Sequence, residues 1–120
     1  MDSRHFYWTE KSLKFSGKII KLQQYLIKQR KETIISKQII RSATSIGANI
    51  NEASYGSSKQ DFIAKMHIAL KECAETEYWI RLLKEAEYIE DTYATDLLND
   101  CLSINRMLVA SIKTVKSNIE

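Results

Sequence analysis

Residues 41–53 read RSATSIGANINEA, and two series of side chains run through them at helical spacing. Ser42, Ser45, Asn49 and Glu52 recur every three or four residues and so share one face of an α-helix. Beside them lies an apolar face made by Ile35, Ile39, Ala43, Ile46, Ile50 and Ala53. A polar strip at the margin of an apolar face needs partners, because a partly buried amide or carboxylate left unpaired costs about 1–3 kcal/mol. The stretch therefore predicts a helix set against a core, with another helix, another subunit or a ligand meeting its polar edge.

Composition carries the same reading outward. The 120 residues contain no proline, three glycines and 44% hydrophobic residues, which favours a mostly helical chain with short connections. A first helix is expected from about residue 9 or 10 to residue 30, with Phe15, Ile19, Leu22 and Leu26 facing inward. A second apolar line, Leu13, Ile20 and Ile27, repeats every seven residues on a flank about 120° away, and one bundle core does not need it. It is read as an interface.

The second helix is expected from Thr33, as N-cap, to about residue 55, and Ser58 caps a third helix that runs to about residue 88. Phe62, Met66, Ala69, Leu70, Cys73, Ile80 and Lys84 lie along one side of that third helix. Glu77 projects between Cys73 and Ile80, so it is expected to pair with Arg81 or Arg41. A fourth helix, from residue 93 or 94 to residue 117, repeats Leu97, Cys101, Ile104, Leu108, Ile112 and Val115. Connections of a few residues imply an all-α fold of one domain over residues 1–120: an antiparallel up-down-up-down four-helix bundle.

Several function classes fall away. The apolar runs are pairs, such as Ile19-Ile20, far short of the roughly 18 residues that span a bilayer, so no membrane partner is expected. Residues 1–10 are too polar for a secretory signal, and the expected location is cytoplasmic. Cys73 and Cys101 fall on apolar faces and read as reduced core thiols. His5, near a terminus expected to fray, and His67, alone on the third helix, lack metal-ligand spacing, so neither a metal nor a cofactor is implied. No phosphate loop, nucleophile elbow or Cys/His pair can be assembled, and the chain is read as a non-enzyme. An enzyme reading needs Asn49, Glu52 and Glu75 to converge in an open pocket; otherwise Glu52 and Glu75 are expected to link helices or subunits through Asn49, Arg41 or Lys65.

Two stretches read together resemble a known family. The run Ser42-Ala43-x-Ser45-Ile46-x-Ala48-Asn49-Ile50-x-Glu52, then Ser58-Lys59-x-Asp61-Phe62-Ile63, Ile68-Ala69-Leu70, Glu75, and Tyr78-Trp79-x-x-Leu82-Leu83 is similar to the small bacterial four-helix-bundle proteins labelled 23S rRNA intervening sequence protein. The polar motif residues are thus Ser45, Asn49, Glu52 and Glu75, and Trp79 is read as packing or interface. Many members have glycine where Ala53 stands here, with Gly56 three residues on, which bears on where the second helix ends. The resemblance implies a ring of five bundles around a central channel, that is, a homopentamer, and a biochemical role that is poorly defined in the family. It also connects the chain to the accessory protein of diversity-generating retroelements, a basic five-fold ring that binds nucleic acid and a reverse transcriptase.

Charge supplies the remaining functional signal. The net charge is +3, but residues 1–50 carry ten Lys/Arg against three Asp/Glu, while residues 51–120 carry eight against twelve. On the first helix Lys11, Lys14, Lys18, Lys21 and Lys28 lie within about 100° of arc with Tyr25 between them, and Arg30 and Lys31 extend the strip. Such a ridge neutralises RNA or DNA phosphates without reading sequence, or is a solvated face, or meets the acidic helices of another copy. The expected function is a non-enzymatic oligomeric scaffold that binds nucleic acid through this surface, with a protein partner also considered. The alternative is a structural or protein-interaction module that binds no nucleic acid.

Overall fold

The four inward residues of the first helix set the frame. Phe15, Ile19, Leu22 and Leu26 are all buried, and around them a computed structural model, describing residues 3–119, places four helices. These are α1 (Ser3–Arg30), α2 (Ile34–Ala53), α3 (Lys59–Glu85) and α4 (Asp91–Ile119). Among the described residues no strand is present. Ile39, Ile46 and Ile50 from α2, Met66, Cys73 and Ile80 from α3, and Leu97, Ile104 and Leu108 from α4 complete one core.

Each helix packs on its neighbours in sequence, and α4 returns to α1, where the contact is the thinnest of the four. Contacts run in opposed order. His5 of α1 meets Ile50 of α2 while Ser16 meets Ala43, and Glu52 of α2 meets Lys65 of α3 while Arg41 meets Glu72 and Glu75. The α1/α2 seam is lined by small side chains. A Cβ added at Gly47 would lie 3.3 Å from the Ser12 hydroxyl, so glycine allows this approach.

The helix ends differ from expectation for identifiable reasons. α1 begins at Ser3, because His5 does not fray: it is 4% exposed and its Nε2 donates to the Ile50 carbonyl at 2.7 Å. Thr33 makes no side-chain cap. The preceding Glu32 turns its carboxylate onto the amides of Ile34, Ile35 and Ser36 at 3.0, 3.0 and 2.7 Å, filling the anion site of a helix amino end. α2 ends at a buried Ala53, and the next residue keeps right-handed φ of −69°, so no glycine is required there. Gly56 sits in the following turn, where a Cβ would meet the Asp61 side chain at 3.2 Å and the Ala53 carbonyl at 3.3 Å.

Ser58 caps α3 as expected, its hydroxyl accepting from the Asp61 amide at 3.1 Å. α3 stops at Glu85, where Glu87, at φ 63°, lets the Tyr88 amide reach back to the Leu83 carbonyl. α4 starts at Asp91, earlier than its apolar periodicity indicates. Glu77 and Lys84 are exposed instead of facing the core, and Glu77 makes no ion pair with Arg81 or Arg41. Thr76 occupies the slot between Cys73 and Ile80, its hydroxyl donating to Ser42 and to the Glu72 carbonyl, both at 2.8 Å. Glu77, about 100° further round, turns to solvent.

Candidate functional site

The lysines of α1 divide between two environments. Lys14, Lys21 and Lys28 are exposed on the outer side of the helix. Lys18 leans toward α4, where its ammonium contacts Asp100 at 2.8 Å and Asp96 at 3.1 Å. Hydrogen bonds to Asp100 and Asp96 raise its pKa above the ordinary 10.5. Lys11 is half-buried and, with Lys14, Lys18, Phe15, Asp100 and Ile104, lines a recess of about 160 Å3 between α1 and α4. The basic strip is therefore continuous at its outer edge and neutralised at its inner one.

Arg30 has a structural position at the end of that strip. Its guanidinium donates to the carbonyls of Glu87 and Tyr88, at 3.3 and 2.9 Å, and lies 4.7 Å above the Tyr88 ring. Lys31 follows at φ 57°, exposed at the turn into α2.

The second apolar line of α1 remains uncovered. Leu13, Ile20 and Ile27 are 62%, 43% and 40% exposed, and Phe6 continues the line toward the amino end. Three such residues at heptad spacing, next to lysines at the same spacing, form an apolar stripe bordered by charge.

The polar edge of α2 is satisfied within the chain. Its exposure increases from buried Ser42, through half-buried Ser45 and Asn49, to exposed Glu52. Asn49 donates to the Ser45 carbonyl at 2.8 Å and hydroxyl at 3.1 Å, while Lys65 donates to Glu52 at 3.1 Å. Arg41 contacts Glu72 and Glu75, and Trp79 Nε1 donates to the Glu75 carboxylate at 3.2 Å. Trp79 is half-buried against the core with the Tyr78 ring edge-on at 5.2 Å. Asn49, Glu52 and Glu75 hold separate partners and do not converge in any of the cavities described.

Cys73 and Cys101 are free, buried thiols, and Cys73 donates to the Cys101 carbonyl at 3.4 Å. The Cys73 thiol beside it, and then burial, push the Cys101 thiol upward, which keeps it protonated and unreactive. No group of three metal-ligating side chains gathers among the described residues, and no helix there is long and apolar enough to cross a membrane.

Sequence reasoning also misses a cavity of about 460 Å3 at the end of the bundle where α1 and α3 begin and α2 and α4 end. His5 and Gly56 both line it.

The family described as 23S rRNA-intervening sequence protein matches residues 5–110. The chain belongs to this family. A protein of unknown function from the S23 ribosomal protein family of Bacteroides thetaiotaomicron, known from a 1.70 Å crystal structure, is 46% identical. The two superpose with a TM-score of 0.90 over 92% of this chain and 98% of that one. No curated protein matches. The 23S rRNA-intervening sequence family match covers α2, α3 and their polar seam, and stops before the last residues of α4 that line the end cavity.

Proposed function

We propose that this family member is a non-enzymatic scaffold: an antiparallel up-down-up-down bundle that self-associates, as a ring of five, and binds RNA or DNA non-specifically through α1. The opposed order of the interhelix contacts supports the topology. The observation that carries the function is the exposure of Lys14, Lys21 and Lys28 on one outer line of α1, next to the uncovered Leu13, Ile20 and Ile27. Lysines at that spacing neutralise phosphates and release counterions, and nothing in the strip offers the geometry for reading base edges.

A second reading, a protein-interaction module without nucleic acid, is favoured by one contact. Lys18 is already matched by Asp96 and Asp100, so part of the basic face is satisfied by the chain's own acidic helix.

Light-scattering mass, with and without hairpin RNA and duplex DNA at low and physiological salt, separates the two. A particle of roughly 70 kDa, five times the 13.9 kDa chain, that gains mass only at low salt supports the nucleic-acid scaffold. A particle that ignores both polyanions moves the assignment to the protein-interaction module.

A further inference from the structure

The cavity at the end of the bundle is built like a ligand site, and it lies outside the lysine strip and the polar motif. Its volume of about 460 Å3 falls within the range of small-molecule pockets, roughly 300–1,000 Å3. Trp8 and Phe62 form its aromatic wall. That wall is fixed in place: the His5 ring stands 5.7 Å from Trp8 and 5.8 Å from Phe62, and its Nε2 is anchored on the Ile50 carbonyl. Two exposed cations, Arg4 and Lys59, also line the cavity, and among the described residues no carboxylate does.

A separate observation points to an occupant. Ser111 lines the cavity with only 5% of its surface exposed, and its hydroxyl makes none of the side-chain hydrogen bonds among the described residues. Among the described residues the one side-chain polar atom that is both sealed from solvent and unpartnered is Ser36 Oγ, so the Ser111 hydroxyl keeps an accessible face. A buried hydroxyl with an open side, in a pocket with an aromatic wall and two lining cations, is an unused hydrogen-bonding position.

We propose that this cavity binds a small aromatic anion, its flat body against Trp8 and Phe62, its charged group between Arg4 and Lys59, and a polar edge toward Ser111. Aromatic carboxylates and aromatic phosphates share this chemistry. The site draws on all four helix ends, so its occupation fastens the thin α1/α4 contact.

The test uses the full chain and anilinonaphthalene sulfonate as fluorescent probe, with indole-3-acetate and adenosine monophosphate as competitors. The expected result is saturable binding at one site per chain, weakened at least about tenfold in Arg4→Glu/Lys59→Glu, where two charge-assisted contacts are reversed. Ser111→Phe, which fills the cavity, abolishes binding, with far-UV ellipticity and melting recorded to show the fold retained. The exposed Arg4 and Lys59 keep the test valid should the buried substitution unfold the chain. Displacement by indole-3-acetate alone assigns a carboxylate, and displacement by the nucleotide alone a phosphate. Displacement by neither, or probe binding unchanged in the Arg4/Lys59 variant, overturns the proposal.

Discussion

Neutralising Lys14, Lys21 and Lys28 together to glutamine should remove most of the salt dependence of nucleic-acid binding. Successive members of this line are seven residues apart, a rise of about 10.5 Å each, so the three ammonium groups span about 21 Å of α1. A duplex offers a phosphate about every 1.7 Å of axis, so each lysine can find its own. Three neutralised phosphates give a slope of log K against log salt of about −2.7 per chain on duplex DNA and about −2.1 on a single strand. Between 50 and 200 mM salt the duplex value amounts to about a 40-fold loss of affinity per engaged chain. The triple variant should lose nearly all of that slope. The converse change is equally informative: Asp96→Asn/Asp100→Asn frees Lys18 from its two carboxylates and should steepen the slope by about one unit. Anisotropy of labelled hairpin RNA and duplex DNA over a salt series reads both, with particle mass checked to hold the assembly constant. A triple variant whose slope changes by less than about one unit would refute the assignment of this line as the phosphate-contacting surface.

Other consequences are local. Glu32→Ala removes a three-amide cap and leaves the buried Ser36 amide unmet, so urea unfolding should show a loss of about 2–4 kcal/mol with an unchanged m-value. Glu87→Gly relieves a left-handed residue at φ 63° without touching the carbonyl that Arg30 uses, and should raise stability by about 0.5–1 kcal/mol. The Ser57 hydroxyl bond holds the Asp61 carboxyl below its ordinary 3.8, so the stability it contributes is present above that value and fades as pH falls through the lower folded pKa. An NMR titration of Asp61 should therefore have its midpoint below 3.8, returning toward it in Ser57→Ala. Ile20→Glu places a charge in the middle of the uncovered apolar line and should dissociate the proposed assembly at unchanged helicity; an oligomer mass that stays the same would count against an interface there.

The sequence discloses what periodicity encodes. The α2 stretch shows why: an apolar face at three- and four-residue spacing must be inside, so the polar series beside it has to pass from buried Ser42 to exposed Glu52. The helix ends are less legible because they depend on contacts distant in sequence. His5 extends α1 by reaching a carbonyl 45 residues away, and no local rule contains that bond. Glu32 instead of Thr33 caps α2, although an acidic residue just ahead of an apolar helix was a usable signal. Helical projection alone puts Glu77 in the gap between Cys73 and Ile80, but Thr76 fills that gap because its hydroxyl can bond to Ser42. The Lys18 pair needed the register of α4 against α1. Asp96 and Asp100, four residues apart, share a helix face, but the sequence does not say which lysine they meet.

Register on α1 also bears on whether self-association and nucleic-acid binding are compatible. Each exposed lysine follows an apolar residue directly: Leu13 then Lys14, Ile20 then Lys21, Ile27 then Lys28. The two lines are thus parallel and about 100° apart around the helix. α2 packs on the flank nearer the apolar line, through Ser12 and Ser16, whereas α4 packs on the other flank, through Lys18. A copy of the chain seated on Leu13, Ile20 and Ile27 would extend over the α1/α2 side and leave the lysines at the rim of the contact. In the proposed ring each subunit would then present one short basic strip at a fixed distance from the next. Three phosphate contacts are weak by themselves, but a strand long enough to reach a second strip binds it at a local concentration of order millimolar. The length of the nucleic acid, more than its sequence, would set its affinity for such a scaffold.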